Sequence, residues 1–229
     1  MALWTQENYN DLKLITMKKL FLAIIGMMAM MSCTQQEQPA QQSNATENQV
    51  IETILSRRSV RAYKDQAVPK ELLDKVLECG VYAANAMNAQ QWEVRAVVSQ
   101  ELLNSTTAAA KEAAKGTPAE AQYNDPAFKN IFRNAPAVIF IAHKPGMFTQ
   151  IDCGLMAGNI MLAAKSLGLG TVCMAGPIAS FVNQPAGAAF REKLNFSEGY
   201  EPLICIGIGY PDEEPAAKPR NMDVIKYVE

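Results

Sequence analysis

The chain has one histidine in 229 residues, His143. That scarcity leaves Ser/His/Asp, Cys/His and histidine-based metal sites without their parts, and His143, closing an apolar run, reads as a strand-end residue. Cysteine is equally thin, and no two of the five stand at CxxC spacing, so neither a zinc cluster nor a redox pair is signalled. Cys79, Cys153, Cys173 and Cys205 lie among apolar or small neighbours and read as small buried hydrophobes. A glycine-rich nucleotide fingerprint is missing too. GLG at 168–170 ends a helical pattern, and GIGYP ends a strand without GxGxxG spacing. There is no basic excess: the formal net charge is −2 and the sequence pI about 5.6, which argues against a nucleic-acid-binding face. With protein-side catalysts this sparse, an enzyme of this sequence would draw its reactive centre from a cofactor.

What is present is enough apolar sequence, 49% of the chain, for one domain with a substantial core. The first residues stand apart from it. From Met17 the chain reads MKKLFLAIIGMMAMMSC, a basic start, a short apolar run and small residues before Cys33, the pattern of an export signal too short for a comfortable membrane span. A cysteine directly after the run resembles a bacterial lipoprotein signal. Residues 1–33 therefore read as an upstream extension plus signal, with Cys33 the lipidated residue of an exported, membrane-anchored protein; without a working signal the protein would stay cytoplasmic. Residues 34–48, TQQEQPAQQSNATEN, are Gln-rich without apolar periodicity and read as a disordered tether. The domain spans 49–229.

Within it the periodicity predicts helices over NQVIETILSRR, with Val50, Ile51, Ile54 and Leu55 on one face, and from Pro69, where Leu72, Leu73, Val76, Leu77 and Val81 form a stripe for burial. WEVRAVVS alternates as a strand, Leu102 to Lys115 is an Ala-rich helix, and APAVIFIAH is a buried strand. A long helix runs from about Phe148 to Leu167, TVCMAG is strand-like, a helical region ends near Leu194, and EPLICIGIGYP is a second buried strand. The class is α+β, a sheet layered with helices, without repeats.

One stretch concentrates positive charge. SRRSVRAY packs Arg57, Arg58 and Arg61 around Ser59, in a chain that is acidic on balance. Taken with AANAMNAQQWE, the DCGLMAGNIMLAAKSLGLGTVCMAG block, CIGIGYP and KPRN, in that order, the segment from about Gln49 to Glu229 resembles the FMN-dependent nitroreductase family.

The resemblance implies an α/β/α sandwich with a central, mostly antiparallel sheet. It also implies an intertwined homodimer with FMN at the subunit interface, and hydride transfer from NADH or NADPH through the flavin to a nitroaromatic, a quinone or a similar small acceptor. The flavin, not a side chain, is then the reactive centre, and no metal is needed. Guanidinium groups bind a phosphate dianion bidentately, and the resemblance assigns that task to Arg57, Arg58 and Ser59, with Lys218 and Arg220 returning from the C-terminus. Arg61 falls to the pyrimidine edge of the ring, where positive charge favours reduction. Asn88 and Gln90 inherit hydrogen bonds to the polar edge and ribityl chain, and the backbone at Ala175 and Gly176 approaches the flavin N5. The family reads PSxxNxQPW where this chain has Ala84, Asn85 and Gln91; losing two prolines predicts a looser loop there. Trp92 reads as core. Asp152, Gly158 and Asn159 read as structural, on a helix the family uses for its dimer interface. Tyr123, Phe128 and Phe132 are candidate lid aromatics over the flavin, and each fits the core equally well. Because an exported protein meets little NAD(P)H, a second reading stands beside the reductase: a lipid-anchored flavin protein that relays electrons from another donor.

Overall fold

The computed structural model describes residues 48–229. The signal segment, Cys33 and all but the last residue of the Gln-rich tether lie outside them. That last residue, Asn48, belongs to the fold, because its side chain caps the first helix by accepting the N–H of Val50 at 2.9 Å.

Four strands form one antiparallel sheet: β1 (Trp92–Val97), β2 (Ala137–His143), β3 (Gly170–Met174) and β4 (Glu201–Gly209), in the order β1-β2-β4-β3. β2 is buried along its whole length, which is why APAVIFIAH is apolar without alternation: both faces of the sheet are covered. Period two then sorts its side chains. Val138 and Phe140 enter one core; Ala137, Ile139 and Ile141 enter the other.

The second core is made by α2 (Lys70–Val81) and α5 (Thr149–Ser166). These helices approach closely because Gly80 has no side chain: a Cβ there would sit 2.7 Å from Ile160. Asn159 ties them together through the Cys79 carbonyl at 3.1 Å. The first core collects α3 (Gln100–Ala113), a π-helical turn (Ile178–Val182), α6 (Ala188–Leu194) and an aromatic group in which Phe132, Phe140 and Phe190 pack at centroid distances of 5.3–6.1 Å. Helices on both faces of an antiparallel sheet are the α/β/α sandwich expected.

Several expectations are corrected. Val81 is 47% exposed, because it ends α2 past the α5 crossing, so the buried stripe is Leu73 and Val76, flanked by half-buried Leu72 and Leu77. Helix α1 (Gln49–Ser56) forms as read, but none of its residues is buried; among the described residues its apolar Val50, Ile51, Ile54 and Leu55 stay 43–71% exposed. Cys153 and Cys205 are buried, whereas Cys173 is exposed, because β3 is a sheet edge. Of the two readings open for Phe132, lid or core, the core one holds, since it is fully buried.

Candidate functional site

The SRRSVR segment lies along the free edge of β3. Ser59 bridges Thr171 in parallel, the N–H of Val60 donates to the Thr171 carbonyl at 2.9 Å, and Tyr63 bridges Pro211. The buried Tyr63 hydroxyl donates to the Val60 carbonyl at 2.7 Å, pinning the segment from below. Burial pushes the Tyr63 phenol well above its ordinary range, so it stays a donor. Pinned along this edge, the segment keeps Arg57, Arg58, Ser59 and Arg61 at one place on the surface.

Those side chains line a small cavity of about 150 Å³ with Arg57, Arg58, Ser59 and Arg61 on one wall and Lys218 and Arg220 on the other. Five cations and no carboxylate converge there, although they come from opposite ends of the domain. Arg58 spends part of its guanidinium on the end of α1, donating to the Leu55 carbonyl at 2.7 Å. Arg57 is different: its Nη1 is buried and, among the described residues, has no hydrogen-bond partner. A buried guanidinium N–H without an acceptor costs free energy unless an anion satisfies it. The set fits a phosphate dianion.

Arg61 also lines a second cavity, of about 400 Å³, whose other walls include Tyr123 at the end of the short helix α4 (Ala119–Tyr123), Phe128, Asn130, Arg133, Asn134 and Gly176. Tyr123 and Phe128 stack at 4.9 Å, so two of the three aromatics expected over the site are there. Gly176 follows β3 and precedes the π-helical turn, a distortion common at functional sites. A Cβ on Gly176 would meet no atom within 4 Å, so the missing side chain leaves open space against the main chain, as a planar ring requires. Ala175 caps this turn through its carbonyl, which accepts the N–H of Ala179 at 3.0 Å, but it is not among the residues lining the cavity. The residues present fit FMN: a cationic end for its phosphate, an open glycine for its ring, and Arg61 between.

Asn88 and Gln90 line neither cavity. They precede β1, at the opposite edge of the sheet from β3, with two strands and therefore roughly 14 Å between. Their loop is not loose. The Asn85 side chain accepts the N–H of Gln90 at 2.9 Å, the buried Asp152 carboxylate accepts the N–H of Ala86 at 3.1 Å, and the Gln91 carbonyl accepts the N–H of Lys144 at 3.2 Å. Side-chain ties replace the two prolines. They hold Met87, Asn88 and Gln90 at φ of 56°, 51° and 48°, on either side of a right-handed Ala89; left-handed residues of this kind concentrate at functional loops. Trp92, just beyond, is core, and His143 is buried with its Nδ1 2.8 Å from the Thr149 hydroxyl.

Three features went unnoticed in the sequence. Glu213 lies against the arginine segment, its carboxylate accepting the N–H of Arg61 and, at 3.1 Å, that of Ala62. Asn130 and Asn134 lock the loop before β2: Asn130 Oδ1 accepts the N–H of Phe132 and Asn134, and Asn134 Oδ1 accepts that of Lys129. Between them Arg133 sits at φ 58°. The signal was there, since two asparagines four apart before Ala-Pro are turn chemistry.

Comparison with known proteins agrees with this geometry. The family model described as Nitroreductase family matches residues 54–210. The FMN reductase [NAD(P)H] of Bacillus subtilis is 30% identical over 188 residues, covering 76% of this chain and 70% of that one. A nitroreductase from Bacteroides fragilis, solved with bound FMN, superposes with a TM-score of 0.72 at 27% identity, over 80% of this chain and all of that one. One from Desulfitobacterium hafniense, also with bound FMN, gives 0.71 at 27%, over 80% and 99%.

Proposed function

Because the chain belongs to the nitroreductase family, we propose that it is an FMN-dependent oxidoreductase that draws electrons from NADH or NADPH and reduces a nitroaromatic, a quinone or a similar small acceptor. The observation that carries the reading is Arg61, which lines both the five-cation cavity and the cavity at Gly176. One ligand with an anionic tail and a planar head accounts for both.

In this reading Arg57, Arg58, Ser59, Lys218 and Arg220 hold the phosphate, with the unpartnered Arg57 Nη1 supplying a dry, strong donor. FMN held there would supply the hydride-transfer chemistry between the nicotinamide and the acceptor. Arg61 places positive charge at the polar edge of the ring, where it favours electron uptake. The main chain at Gly176 lets the ring approach without a side chain intervening.

Asn88 and Gln90 act across a homodimer. α1 presents Val50, Ile54 and Leu55 to solvent, and α5 presents Ile151 and Leu155, 63% and 47% exposed. Apolar surface of this extent marks an interaction face. The Asn88 loop is tied to α5 through Asp152, so a second copy docking there receives Asn88 and Gln90 at its own arginine cavity.

The sequence from Met17 to Cys33 supports export and lipid attachment at Cys33, which favours the electron-relay reading of the same site where NAD(P)H is scarce. Fatty-acid labelling lost in Cys33→Ala tests the anchor. For the reaction, purified full-length protein is mixed anaerobically with NADH or NADPH: yellow protein that bleaches supports the reductase, and yellow protein that does not supports the relay. Colourless protein that takes up no added FMN would sink both.

A further inference from the structure

The cavity beside Gly176 carries a charge that flavin binding does not use. Arg133 lines it, and among the described residues its side chain has neither a hydrogen bond nor an ion pair. Neighbouring groups are already committed. Buried Asn130 donates to the Ala135 carbonyl at 3.1 Å and accepts from Phe132 and Asn134; Asp125, the one carboxylate in the lining, accepts the N–H of Ala127 at 2.7 Å. The Asn130–Asn134 lock holds Arg133 at φ 58°, a conformation costly for a long side chain and kept only where the surroundings impose it. A rigid turn therefore offers a free guanidinium to a cavity walled by the stacked Tyr123 and Phe128.

We propose that Arg133 selects an anionic aromatic acceptor, one with a carboxylate or comparable anion on the ring, for reduction at this site. The proposal rests on the oxidoreductase reading above and names its substrate class. Aromatic walls hold the ring, Arg133 pairs with the anion, and the reducible group is left toward Gly176. For a nitroarene the balance is ArNO₂ + NAD(P)H + H⁺ → ArNO + NAD(P)⁺ + H₂O, with two electrons from the nicotinamide and one nitro oxygen leaving as water.

The test compares 4-nitrobenzoate with 4-nitrobenzyl alcohol, the same ring without the charge, on the FMN-loaded full-length protein. The parent should favour the carboxylate by about tenfold in kcat/KM, the scale of one charged hydrogen bond. Arg133→Gln should bring the ratio to near one through KM, and Arg133→Lys should retain part of the preference. Equilibrium dialysis of benzoate against the same proteins reads the contact without turnover: binding in the parent and its loss in Arg133→Gln support the proposal even if neither nitro compound is reduced, an outcome that would defeat the reductase reading alone. A parent that does not distinguish the two compounds and does not bind benzoate overturns the proposal. So does an Arg133→Gln protein whose NADPH-to-NADH preference shifts while its acceptor ratio stands, since Arg133 would then serve the donor's phosphate.

Discussion

The carboxylate of Glu213 accepts the backbone N–H of Arg61 from 152 residues along the chain. It also takes the N–H of Ala62 at 3.1 Å, where the short pairing of residues 62–64 with 210–212 gives out. One side chain thus finishes a ladder that the backbone leaves open, and fixes the residue shared by both cavities. Glu213→Ala should weaken FMN binding by about tenfold, ~1.4 kcal/mol, with faster hydrogen exchange at the Arg61 and Ala62 amides. Glu213→Gln keeps an acceptor oxygen and should recover most of the affinity. Equal affinity and exchange in parent and Glu213→Ala would remove Glu213 from the site.

Arg57 carries opposite consequences for the empty and the loaded protein. Its buried Nη1 lacks a partner among the described residues, so Arg57→Met, which keeps the stem and drops the charge, should raise the thermal midpoint of the FMN-free form. The same change should weaken FMN binding by roughly 1.5–3 kcal/mol, the scale of hydrogen bonds to charged groups. Calorimetry with and without FMN reads both signs. A variant destabilised without FMN would mean that the guanidinium is satisfied within the protein.

Burial sorts the thiols, and with them the alkaline stability. Cys173 on the β3 edge should react with a thiol reagent in the folded state, while Cys153 and Cys205 should not. Burial first, then the neighbouring Asp152 charge, pushes the Cys153 thiol up to about 11 from an ordinary value near 9. Between those values the folded protein holds a proton that the unfolded chain has lost, so stability falls as pH rises through that window. Cys153→Ala should make the fall shallower, measured as denaturation midpoint against pH; an equally steep fall would assign it elsewhere, with Cys205 and then Tyr63, both also raised by burial, the next candidates.

The sheet was legible because its strands are short apolar runs bounded by turn residues, and the cationic cavity because three arginines around a serine stand out in an acidic chain. Arg133 and Glu213 were not legible, for a physical reason. Arg133 matters through a left-handed turn whose Asn130 and Asn134 can be seen in the sequence but whose direction toward a cavity cannot, and Glu213 through backbone N–H groups far away in sequence, which leave no residue pattern. The loop before β1 was misjudged for a similar reason. Two missing prolines suggested slackness, but Asn85 and Asp152 supply the rigidity through contacts made only after folding.

The position of that loop allows a test of assembly. The proposed site takes both Asn88 and Arg57, yet within a chain they flank opposite edges of the sheet. If the site is completed across a homodimer, Arg57→Ala and Asn88→Ala chains each make dimers in which every site lacks one group. In a mixed dimer both defects fall in one site, and the other joins an intact Arg57 to an intact Asn88. Unfolding and refolding the two variants together should restore parent-like FMN affinity in about a quarter of the sites, because random pairing makes half the dimers mixed. Titration of the mixture should then show a tight fraction that neither variant shows alone. Were both groups supplied by one chain, no mixed dimer would contain an intact site, and the tight fraction would be absent at every mixing ratio.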